Sequence, residues 1–131
     1  MSDLLDFLAE RDFSDLTEEV SVSSKIPYKF KIKALTKAKR AEFQNRCRVT
    51  TKKGGVVINY AEFQTLVCLE CCMYPDFHDK EFIDRLGVKT PSQAYNKVLL
   101  PGEDDELYSQ IIKLSGFEDE DINADIEEAK N

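Results

Sequence analysis

Cys68, Cys71 and Cys72 place three thiols within five residues, and Cys47 or the single histidine, His78, could bring a fourth soft ligand to them. Four such groups are what a structural zinc ion takes, but it draws them from turns, at paired spacings such as two separate C-x₂-C units. Here all three thiols lie in one apolar run from Leu66 to Met73. On a helix Cys68 and Cys72 would share a face and Cys71 would point away by roughly 60–100°. That divergence favours small hydrophobes in a packed helix over a metal site, and over a nucleophile still more. His78, in Pro75-Asp76-Phe77-His78-Asp79, has two neighbouring carboxylates and a side chain suited to acid–base work; the plainer reading is a solvated loop histidine near a helix start. No G-x-S-x-G, P-loop or H-E-x-x-H pattern occurs, and Gly54-Gly55 is too isolated to cradle a phosphate. No catalytic, cofactor-binding or metal-ligating residue is therefore assigned. The expectation is a protein that is not an enzyme and works by binding another protein.

The elements that hold these residues are read from periodicity and punctuation. Ser2 or Asp3 can cap a short helix over residues 3–10, with Leu4, Leu5, Phe7 and Leu8 on its apolar face. Glu19 to Ser23 and Tyr28 to Ala34 read as two strands of a hairpin joined around Lys25-Ile26-Pro27. In the second strand Tyr28, Phe30, Ile32 and Ala34 face one way and Lys29, Lys31 and Lys33 the other. Thr36 can cap a basic helix to about Arg48 that turns Ala41, Phe43 and Cys47 inward. Lys52-Lys53-Gly54-Gly55 separates two β-branched runs, Val49 to Thr51 and Val56 to Ile58, as in a second hairpin. Asn59 with Glu62 resembles a capping box opening a helix from Tyr60 to Tyr74, apolar almost all round from Leu66 and stopped by Pro75; such a helix is usually central. A helix over Lys80 to Leu86 ends at Gly87, and Thr90-Pro91 starts one that runs to Leu99 or Leu100. Pro101-Gly102 turns the chain into a helix over Asp105 to Leu114, closed by Gly116, and an acidic helix over residues 119–129 carries Ile122, Ile126 and Ala129. The expected architecture is α+β and predominantly α-helical: an N-terminal β-hairpin followed by a compact bundle of about five to six helices. The whole, 1–131, reads as a single domain, with its two terminal helices loosely docked.

With 42% hydrophobic and 33% charged residues among 131, the chain has material for a core. A net charge of −7 argues against a sequence-independent hold on nucleic acid, which needs a dense array of cations facing phosphates. No run approaches the ~20 apolar residues of a membrane span. Met1 to Ala9 lacks the basic head of a secretory signal, so four cysteines read as reduced thiols of the cytoplasm. Charge is unevenly spread. Lys25 to Lys53 holds 11 bases and one acid, Glu42, while Pro101 to Asn131 holds 11 acids and two bases, Lys113 and Lys130. The lysines of the strand could simply guard a hairpin edge, or the two halves could neutralise each other within the fold. The alternative is that one of them meets a partner.

The stretch Pro27-Tyr28-Lys29-Phe30-Lys31-Ile32-Lys33-Ala34-Leu35-Thr36 resembles the strand and helix start of XkdN-like phage tail assembly chaperones. Met73-Tyr74-Pro75-Asp76-Phe77, Leu99-Leu100-Pro101-Gly102-Glu103, Gly116-Phe117, Asp121-Ile122-Asn123 and Glu127-Glu128-Ala129-Lys130-Asn131 extend the resemblance in order from about Leu4 to the end. The run Cys68 to Cys72 departs from it, since mostly aliphatic residues are expected there. The resemblance implies a non-structural phage or prophage protein of the host bacterial cytoplasm, absent from the mature virion. It implies binding to the tape-measure protein, whose apolar surface is kept soluble until tail-tube subunits polymerise, with weak or no homo-oligomer and no nucleic-acid or membrane partner. Chaperones of this class are often made in a second, longer frameshifted form, which would contact the tail-tube protein. The closing Ala129-Lys130-Asn131 is compatible with a slippery A-AAA-AAC heptamer. Candidate partner-binding residues are Leu4, Leu5, Phe7, Leu8, Ile122 and Ile126, with Lys29, Lys31 and Lys33 next. The rivals are a prophage-encoded regulatory adaptor acting on a host protein and a zinc-stabilised module.

Overall fold

The helix α3 (Tyr60–Cys71) is the element around which the others are arranged. The computed structural model describes residues 2–13 and 15–117. The expected helix over residues 119–129, with Ile122 and Ile126, lies outside the described residues. Asn59 caps α3, its side-chain oxygen accepting the Glu62 N–H at 3.2 Å. Phe63, Gln64, Val67, Cys68, Leu69 and Cys71 are buried on more than one side of the helix, which is what its nearly continuous apolar run requires.

The helix stops three residues short of expectation. Cys72–Tyr74 is a β-strand and the helix ends at Cys71. Two forces oppose its continuation. Pro75 disfavours helical backbone at Tyr74, the residue before it, and an unpaired sheet edge stands nearby to accept an extended segment. In chain order the described residues open with the helix α1 (Asp3–Ala9), and the sheet begins after it with β1 (Thr17–Val20) and β2 (Phe30–Lys33). β1 and β2 pair antiparallel, with Val20 opposite Phe30 and Thr17 opposite Lys33. The hairpin is therefore present, but its first strand starts at Thr17 and ends at Val20, and the loop 21–29 is longer than expected. Tyr28 belongs to that loop and is 76% exposed, so it does not share the inward face of Phe30 and Ile32. Pro27, which has no N–H to give a ladder, precedes it. On its other side β2 pairs antiparallel with the strand Cys72–Tyr74, giving the order first strand, β2, last strand. The lysines of β2 thus lie on the central strand and guard no edge.

α2 (Lys37–Arg46) comes next, capped by Thr36, whose hydroxyl accepts the Lys39 N–H at 3.3 Å. Phe43 and Cys47 are buried as expected; Ala41 is exposed, because the face toward α3 is narrow. β3 (Arg48–Thr50) and β4 (Val56–Ile58) form the second hairpin, Val49 opposite Val57. After α3 and its strand, numbered β5, come α4 (Lys80–Leu86), α5 (Pro91–Val98) and α6 (Pro101–Leu114). Gly87 closes α4 in the left-handed region at φ 74°, a conformation that favours glycine. α5 opens with a complete capping box: Gln93 N–H donates to Thr90 Oγ1 at 3.1 Å, and Thr90 N–H donates to Gln93 Oε1 at 3.3 Å. α6 begins at Pro101, earlier than Asp105. Proline is preorganised for a first helical position, and Glu103 Oε1 accepts the Leu100 N–H at 2.8 Å.

The result is α+β, with six helices and five short strands among the described residues. The core runs through β2, α3, α5 and α6: Ile32, Val67, Cys68, Ala94, Leu107 and Ile111 have no exposed surface. Phe77 packs edge-on to Tyr95, ring centroids 5.2 Å apart. No described helix is long and apolar enough to cross a membrane.

Candidate partner-binding surface

The thiols occupy the core and are shared among three elements. Cys68 and Cys71 are on α3, Cys72 begins β5, and Cys47 lies just past α2; all four are buried and unbonded to one another. Burial pushes the Cys68 thiol well above its ordinary range, against a hydrogen bond with Tyr95 that pulls it down. Burial, aided by the charge of Glu70, raises Cys71 to about 12, and burial raises Cys72 to about 12. Cys47 is also raised, first by burial and then by Glu62. Burial thus favours the protonated form of each thiol at neutral pH. Among the described residues no three His, Cys, Asp or Glu side chains converge as a metal would need. His78 is exposed in its loop, where its backbone N–H donates to Asp76 Oδ1 at 2.9 Å.

Polar groups inside the fold tie helices together. The Tyr95 hydroxyl on α5 donates to Asp104 Oδ1 on α6. Burial foremost, with Cys68 and Asp104 beside it, holds that hydroxyl far above the usual phenol range. Gln64 on α3 donates through Nε2 to Asp105 Oδ1 on α6 at 3.0 Å. These bonds join α5 to α6 and α3 to α6 inside the fold.

The surface is where the chain is unusual. α1 has no buried residue: Leu4 is 64% exposed, Leu5 54%, Phe7 64% and Leu8 48%. These four recur at helical spacing and make one apolar face with nothing of the described chain over it. Ser2 caps the helix, accepting the Leu5 N–H at 3.3 Å. Beyond the helix, Arg11 lies over the Phe13 ring at 4.7 Å, and Arg11, Asp12 and Phe13 form one wall of a cleft of about 410 Å³. The opposite wall is Lys33 to Thr36 with Lys39, and Glu70 and Cys71 complete the lining. Glu70 receives both cations, Lys33 Nζ at 3.4 Å and Lys39 Nζ at 3.7 Å.

Of the candidates read from sequence, Leu4, Leu5, Phe7 and Leu8 share one exposed face. Lys29 and Lys31 are exposed near and on β2, and Lys33 reaches the cleft next to the segment just past α1. Sequence reasoning missed Phe13, and it missed the exposed valines Val49, Val56 and Val57 of the second hairpin. Their signal was present, since a short two-stranded hairpin cannot bury both its faces.

Compared with known families, the chain matches the model of the phage XkdN-like tail assembly chaperone protein over residues 4–130. No curated protein matches it. It is similar to a solved crystal structure, that of the protein yqbn, at 22% identity and a TM-score of 0.70, over 90% of this chain and 99% of that one. At that identity the likeness is one of fold.

Proposed function

Because the chain belongs to the phage XkdN-like tail assembly chaperones, we propose that it binds the tape-measure protein in the host cytoplasm and keeps it soluble. The tape-measure protein is released as tail-tube subunits polymerise, and the chaperone stays out of the finished virion. It acts by binding alone, as a single domain. A longer frameshifted form of the same chain, where one is made, brings the tail-tube protein to the complex.

The observation that carries this reading is the uncovered face of Leu4, Leu5, Phe7 and Leu8. A helix of seven residues is marginal in water by itself. Four large apolar side chains on one side of it fit a long amphipathic partner whose own seams need covering. The net charge of −7 keeps such a complex dispersed. Release during assembly favours contacts that are individually weak, with avidity from many copies along the partner.

The test is co-expression with the tape-measure protein. The parent chain should keep the tape-measure protein in the soluble fraction, and Leu8→Asp should lose that ability while staying folded. Equal solubility with parent, variant and empty vector would refute the reading.

A further inference from the structure

α1 is one-sided in charge as well as in hydropathy. Counting its C-cap, its charged residues are Asp3, Asp6 and Glu10; all three are exposed, and no base stands among them. At 3.6 residues per turn they fall within one arc of about 60°, and Asp3 and Glu10 border the apolar face on the side of Phe7. Among the described residues none of the three meets a cation at ion-pair distance. Arg11, the next residue, lies over the Phe13 ring instead. Asp3 and Asp6 stand in the first turn, where the helix dipole itself favours a carboxylate. Glu10 is different. It is the C-cap, at the end where that dipole disfavours negative charge, and the last turn has no base to offset it. This carboxylate does nothing for the helix; beside an uncovered apolar face it is an acceptor for a cation that another molecule brings.

We infer that the segment α1 takes is an amphipathic helix with lysines or arginines along one border of its apolar seam. This rests on α1 being the face that covers the tape-measure protein, and it adds the chemistry of the stretch that is covered. Glu10 follows Asp3 by about two turns, or about 10 Å along the helix, so the matching bases stand about that far apart on the partner. Contact with Leu4, Leu5, Phe7 and Leu8 supplies the hold. The charged border decides which seams are taken and in which orientation. The α1 of a second copy is a poor occupant, because its border carries the same sign.

Three synthetic helical peptides with one leucine seam, bordered by lysine, glutamine or glutamate, test this by fluorescence anisotropy with the full chain. The lysine peptide should bind about five- to tenfold more tightly than the glutamate peptide, with glutamine between. At about 0.5 M salt, where the Debye length is ~4 Å, the difference should collapse. Glu10→Lys suits the C-terminal end of the helix better than the parent residue does, so it keeps α1 and should cut the preference for lysine several-fold. Leu8→Asp adds an acid yet should lose the lysine peptide, which separates docking on α1 from attraction to the net charge of −7. Lysine-peptide binding that survives Leu8→Asp, or a preference unchanged by both Glu10→Lys and salt, would overturn the inference. Three peptides bound alike would overturn it and leave α1 standing as a docking face; no peptide bound would remove α1 from both readings. Self-association of the free chain that Leu8→Asp abolishes would make a second copy the occupant and overturn it as well.

Discussion

Ile32 on β2 stands directly opposite Cys72 on β5, and both side chains are buried. The pairing gives β2 a neighbour on each side and makes its inward residues, Phe30 and Ile32, part of the floor on which α6 rests.

Alternation on this central strand sets a sharp contrast. Phe30 is buried and Lys31 exposed. Phe30→Ala should cost ~3–5 kcal/mol in urea unfolding, and Lys31→Ala should stay within about 0.5 kcal/mol of the parent. Equal costs would show the register to be wrong.

Tyr95→Phe removes the hydroxyl shared with Asp104 and Cys68 while leaving the ring against Phe77. Loss of a buried bond to a carboxylate should cost ~1–3 kcal/mol in the same measurement. A variant as stable as the parent would mean that water replaces the tyrosine.

Stability should fall in alkali. Cys71 and Cys72 titrate at about 12 in the folded protein, against roughly 8.5 for an unfolded thiol. Folded values lie above unfolded ones, so this contribution is complete below about 8.5 and is lost as pH rises toward 12. Thermal melts should be unaffected by these groups near neutrality and drop steeply above pH ~9. A thiol reagent should label the native protein only at the rate of opening. Fast stoichiometric labelling at pH ~7 would contradict the burial.

For the exposed helix the expectation is a separation of stability from function. Leu4→Asp and Leu8→Asp alter side chains that touch no core, so the unfolding free energy should change by no more than about 0.5 kcal/mol. Tape-measure solubility on co-expression should nevertheless fall. A large loss of stability would place α1 inside the fold.

The helices were legible in the sequence because their ends are written in local chemistry. Thr36, Asn59 and Thr90 cap by bonds to the residue three ahead, and Gly87 closes α4 by adopting a backbone that other residues avoid. β5 was illegible for the opposite reason. Cys72-Met73-Tyr74 continues an apolar helical run, and only the distant backbone of β2 decides that it is extended. Tyr28 fits the alternation of its strand by position, yet the hairpin register leaves it in the loop. For the candidate surface, periodicity displayed the apolar face of Leu4, Leu5, Phe7 and Leu8. A docked helix would carry the same pattern, so exposure had to come from the fold. Nor could spacing reveal that Glu70 collects Lys33 and Lys39 from two other elements.

The β2–β5 pairing also orders events in time. β1 and β2 are neighbours in the chain and can meet as soon as both have left the ribosome, but Lys31 must wait for Tyr74. Until the intervening α2, second hairpin and α3 have been made, β2 keeps one row of backbone donors and acceptors open to any passing strand. The long loop makes this closure slower than the hairpin's, and the Leu35 N–H finds its acceptor on Ser115 later still. A nascent chain stalled before Tyr74 therefore carries an adhesive edge on the strand that holds the core residues Phe30 and Ile32. Synthesis rate through α3 becomes a determinant of yield.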